Sequence, residues 1–123
     1  MGRLCWCGWR KVLENKIDLN RVMKNTKWDE LRLAMYELGS LKPRWRTCCV
    51  ENGYVCPWDR EWFYHFRNGG YEIIEWVEIE TTSVEQDKAV YKVLSEIHVP
   101  GEKFLNGYRF YGYVHSGEFA EYL

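Results

Sequence analysis

The chain has 123 residues, a formal charge of −1 and an aromatic content of 17% that includes seven Trp. That length suits one domain burying about two-thirds of its unfolded surface, and the aromatic content excludes a disordered chain. The near-zero charge hides an asymmetry: residues 1–47 hold eleven Lys or Arg against five acids, whereas residues 48–123 hold six against thirteen.

The first twenty-four residues are basic and read as an N-terminal extension, with short helices expected over residues 9–14 and 18–24. No apolar core of signal-peptide length precedes Arg10 and Lys11, and no run approaches a membrane span. The expected location is therefore the cytoplasm, with no membrane partner and reduced thiols.

A helix follows. Asn25 or Thr26 is its expected cap, Asp29 and Glu30 fall in its first turn, and Gly39 ends it. Trp28, Leu31, Met35 and Leu38 recur at i, i+3, i+7 and i+10, a spacing that predicts one buried face. Pro43 then separates the helix from an extended run over residues 45–50. Asn52-Gly53 signals a hairpin turn returning through Val55 and Cys56, and it would place Cys49 opposite Cys56.

The stretch from residue 61 to residue 80 carries the strongest local signal. Two aromatic and β-branched runs flank Asn68-Gly69-Gly70, which predicts a second hairpin. Side chains alternate along strands. One face would carry Trp62, Tyr64, Phe66, Tyr71, Ile73, Val77 and Ile79, a core. The other would carry Glu61, Phe63, His65 and Arg67 with Glu72, Ile74, Trp76, Glu78 and Glu80, an acidic face with embedded aromatics. Glu75 would fall on the core side unless a bulge near Ile73-Ile74 turns it. Thr82 or Ser83 begins a second helix with the stripe Val90, Val93, Leu94 and Ile97, closed by Pro100-Gly101. Residues 108–114 read as a last strand, bulged at Gly112.

The expected fold is α+β: a mainly antiparallel sheet of about five strands, from two hairpins and a C-terminal strand. Two helices pack on one face of it, and residues 25–123 form the domain. Five cysteines (Cys5, Cys7, Cys48, Cys49, Cys56) show no C-x-x-C spacing and read as structural thiols, so neither a metal nor a cofactor is expected.

No nucleophile elbow, phosphate loop or dinucleotide fingerprint occurs, so the chain is not expected to be an enzyme. The outer hairpin face, with Trp58 and Asp59 from the connector, is the candidate partner-binding surface. Trp and Tyr anchor interfaces, and surrounding acids steer docking. Two other readings exist. The basic half, with Arg44-Trp45-Arg46 and Trp6, Trp9, Arg10 and Lys11, could bind nucleic acid, although the acidic face opposes phosphate. Glu61 and His65 could serve a small hydrolase.

Several stretches, Asn25-Thr26-Lys27-Trp28, Arg44-Trp45-Arg46, Glu61-Trp62, Tyr64-His65, Ile74-Glu75-Trp76 and Tyr108-Arg109-Phe110-Tyr111-Gly112-Tyr113, resemble a bacterial family of small proteins catalogued only as a domain of unknown function. In size and composition that family resembles immunity proteins encoded beside Rhs-type and other polymorphic toxins. The resemblance implies a cytoplasmic partner-binding protein. Its cognate toxin would be a nuclease, a deaminase or an ADP-ribosyltransferase, blocked by occlusion of its active site.

Overall fold

Helix α1 (Asn25–Tyr36) shows why the amphipathic signal was reliable. Trp28, Leu31 and Met35 are each 0% exposed, in keeping with the spacing that turns them to one side. The computed structural model describes residues 19–115 and 121–123; the expected helix over residues 9–14, Cys5 and Cys7 lie outside them. The helix begins one residue earlier than expected, with Lys24 at the cap position and no side-chain cap, so Asp29 and Glu30 fall beyond the first turn. Helix α2 (Val84–Ile97) starts as expected. Ser83 Oγ accepts from the Gln86 N–H at 3.1 Å, and Gln86 Oε1 accepts from the Thr82 N–H at 2.7 Å. Gln86 also donates to the carbonyls of Leu41 and Lys42, which ties α2 to the turn after α1.

Two antiparallel sheets complete an α+β fold that is mainly sheet. Strands β2 (Arg44–Cys49), β3 (Ile74–Glu80), β4 (Gly101–Phe104) and β5 (Gly107–Tyr111) stand in the order β2-β3-β5-β4. The pair β1 (Leu19–Arg21) and β6 (Tyr113–His115) forms the second sheet. Residues 19–24, the described part of the expected helix, are therefore not helical, and Met23, 1% exposed, belongs to the core. Both helices pack on the same face of the larger sheet. Val77, Ile79, Tyr108 and Phe110 meet Trp28, Leu31, Met35, Val90 and Leu94 there in one cluster.

The strand pairings differ from those expected. Residues 61–67 are not a strand, because residues 62–69 form a run of turns. The Glu61 carboxylate accepts the backbone N–H groups of Phe63 (3.2 Å), Tyr64 (2.7 Å) and His65 (2.7 Å). Those are donors a strand would have given to its neighbour. Trp62 and Phe66, four residues apart, share a side under either periodicity, and both are buried. Tyr64 separates the two cases: an inward residue on a strand, it is 65% exposed here.

The Asn52-Gly53 hairpin is also partial. Cys48, not Cys49, stands near the return, opposite Val55, and Trp45 exchanges both backbone hydrogen bonds with Asp59 at 2.7 and 2.8 Å. Pro57 lacks the donor that would continue the ladder. On β3 the ladder with β2 skips Glu75, so Ile74 takes the buried place. The expected C-terminal strand divides at Gly112 into β5 and β6. The Gly112 N–H donates to the Glu75 carbonyl, and an added Cβ would lie 2.2 Å from the Ile74 carbonyl oxygen. The regular hairpin is β4–β5, through Leu105 in the left-handed region (φ 51°).

Candidate functional site

The face of the larger sheet turned away from the helices is built by alternation on its four strands. Register places Arg44 opposite Glu80 and aligns Arg46, Glu78, Arg109 and Glu102 across all four strands. It also sets Trp76 between Cys48 and Tyr111. Arg46 Nε donates to one Glu78 oxygen at 2.8 Å. Arg109 donates to the other through Nε at 3.0 Å and through Nη2. Arg44 Nε donates to Glu80 at 2.7 Å. Aromatic rings cover these guanidiniums. Trp58 lies 4.6 Å from both Arg44 and Arg46, while Arg109 lies 4.4 Å from Trp76 and 4.1 Å from Phe104.

This arrangement corrects the acidic reading of the face. Glu78 is buried between two guanidiniums and Glu80 is paired, so three Arg (Arg44, Arg46, Arg109) match three Glu (Glu78, Glu80, Glu102). Arg46 and Arg109 keep side-chain exposures of 34% and 24% above a Glu78 at 5%.

Of the expected partner-binding residues, Trp58, Trp76, Glu78 and Glu80 lie on this face. Ile74 does not: it is 4% exposed and belongs to the core. Phe63 is beside α1, edge-on to Tyr36 at 5.2 Å and beneath Arg32 at 5.0 Å. Glu72 is exposed, with its carbonyl accepting from the Tyr113 hydroxyl. Sequence reasoning missed Arg109, Phe104 and Tyr111, and it set Arg44 and Arg46 in a different hypothesis. The one available signal was Arg-x-Arg at 44–46 matching Glu-x-Glu at 78–80, which becomes meaningful only when those segments pair.

Asp59 and His65 come together elsewhere. His65 Nδ1 and Asp59 Oδ2 are 2.8 Å apart, and Asp59 Oδ1 accepts the Glu61 N–H at 2.8 Å. They line a cavity of about 440 Å³ together with Trp45, Cys56, Trp58 and Phe66. Partial burial opposes ionisation of Asp59, but the Glu61 N–H and the His65 ring hold its carboxyl below the usual value. Partial burial is likewise outweighed at Glu61 by the three turn N–H groups. Carboxylates with lowered folded-state pKa values bind protons less readily folded than unfolded. Their stabilisation is thus complete above about pH 5 and lost as pH falls below the ordinary value of about 4. The urea midpoint is expected to fall between about pH 5 and pH 3, and Asp59→Asn is expected to flatten that slope. An unchanged slope would show that Asp59 titrates alike in both states.

The sequence profile of a family of unknown function, DUF6678, matches residues 10–117. The chain belongs to this family. No curated protein and no solved structure matches it. The DUF6678 match begins at Arg10, inside the segment expected to be an extension. Among the described residues, no group of three or more His, Cys, Asp or Glu is placed to hold a metal, and no helix is long and apolar enough to cross a membrane. Cys49 and Cys56 are free thiols. For this DUF6678 domain a chelator is expected to leave the Tm unchanged; a drop of several degrees in a thermal melt would reveal a structural metal.

Proposed function

We propose that this domain is an immunity protein: it binds a cognate toxin, a nuclease, deaminase or ADP-ribosyltransferase, and occludes its active site, with no chemistry of its own. The observation that supports this reading is the layer of guanidiniums and aromatic rings on the outer sheet face. Arg109 between Trp76 and Phe104, and Arg44 and Arg46 against Trp58, are the residue types that anchor protein interfaces. Ion pairing and ring contacts hold them in place, so little side-chain freedom is left to lose on docking. The match of three Arg by three Glu favours a protein over nucleic acid, since phosphate binding needs uncompensated positive charge.

Titration calorimetry against the toxin domain encoded by the neighbouring gene tests the proposal. Trp76→Ala is expected to weaken binding at least about thirtyfold, the loss of an anchor of about 2 kcal/mol, while circular dichroism stays native. Affinity should change little with salt, because the face carries no excess charge to screen. Undiminished binding by both Trp76→Ala and Arg109→Ala would place the interface elsewhere, and a steep salt dependence would favour the nucleic-acid alternative.

A further inference from the structure

The cavity beside Trp58 is separate from the outer face, and its construction points to a ligand. At about 440 Å³ it falls within the size range of small-molecule sites. Trp45 and Phe66 supply buried apolar wall. Trp58, whose ring already carries Arg44 and Arg46, also lines a smaller notch on the outer face and so forms the partition between the two. The polar element is held from three sides. The Glu61 carboxylate fixes the backbone of the turn that carries His65, Asp59 is fixed by the Glu61 N–H, and Asp59 Oδ2 meets His65 Nδ1. In the neutral imidazole, an Nδ1 that donates to the Asp59 carboxylate leaves Nε2 as a hydrogen-bond acceptor. Among the described residues Nε2 has no partner, and the side chain is 59% exposed.

We propose that this cavity binds a flat heteroaromatic ring carrying an N–H donor, of indole or purine type, stacked against Trp58 with its N–H donated to His65 Nε2. The chemistry follows from the lining: Trp58, the partly exposed aromatic beside the buried Trp45 and Phe66, suits a planar ring, and the Asp59-oriented imidazole offers an acceptor. Cys56 on the same wall serves as a reporter.

Indole and benzofuran, which differ in having a ring N–H or a ring oxygen, are the probes, titrated into the full chain with binding followed by calorimetry. Alkylation of Cys56, mapped by mass spectrometry, locates them. Indole is expected to bind about tenfold more tightly than benzofuran, the effect of one hydrogen bond to a well-placed acceptor. Indole is also expected to slow alkylation of Cys56. His65→Phe should abolish the preference, and His65→Gln, which keeps an acceptor oxygen, should restore part of it. A structural role for His65 would move both probes together. An N-acetyl-tryptophanamide arm separates the sources: tighter binding than indole identifies a polypeptide side chain, weaker binding a free small molecule. Equal binding of indole and benzofuran to the unmodified chain, or no protection of Cys56 by millimolar indole, would overturn the proposal.

Discussion

Replacing Gly107 by alanine is expected to destabilise the domain by more than about 3 kcal/mol, beyond the usual range for overpacking. Gly107 faces Glu80 across the β3–β5 ladder. A Cβ there would lie 1.8 Å from the Ile79 carbonyl oxygen, 2.8 Å from its carbon and 2.9 Å from the Glu80 Cα. All three are backbone atoms, so no side chain can swing aside, and β5 must move away from β3. The next two register pairs, Tyr108 with Ile79 and Arg109 with Glu78, would be disturbed with it. The Tm should fall by at least about 12 °C, at about 4 °C per kcal/mol, and the proposed toxin binding through Arg109 should weaken in the surviving folded fraction. A calorimetric scan within a few degrees of the parent would mean that the two strands are not held as closely as the register implies.

Trp28→Ala is expected to cost about 3–5 kcal/mol, as for other large-to-small core changes. The ring is 0% exposed and lies 5.8 Å from Phe66, 5.9 Å from Tyr71 and 6.1 Å from Phe110. It therefore joins α1 to the turn segment, to the 3-10 turn before β3 and to β5, and its removal opens a cavity bordered by three separate pieces of chain. Trp28→Phe should cost distinctly less, since most of the ring volume returns. The lost Nε1 donor carries no penalty, because it finds no hydrogen-bond partner among the described residues. Urea titrations of the two variants provide the check. Equal costs would show that the indole nitrogen has a partner after all, and a cost below about 1 kcal/mol for alanine would show a core able to collapse around the gap.

What the sequence by itself determined was local. The α1 stripe of Trp28, Leu31 and Met35, and the Ser83–Gln86 start of α2, depend on residues within a few positions of one another. Strand alternation likewise put Trp76, Glu78 and Glu80 on one face of β3. The tertiary structure decided which strands β3 joins. Asn68-Gly69 announced a hairpin, but a turn signal only brings two segments close; a strand also needs N–H groups free for a ladder, and Glu61 had taken three of them. The partners came from afar, β2 with Arg44 and Arg46 and β5 with Arg109, more than thirty residues from Glu78 for both Arg46 and Arg109. That choice turned an acidic strand face into a charge-balanced layer of guanidiniums and rings. Complementary charge acts through space, so its effect appears only where the fold sets it side by side.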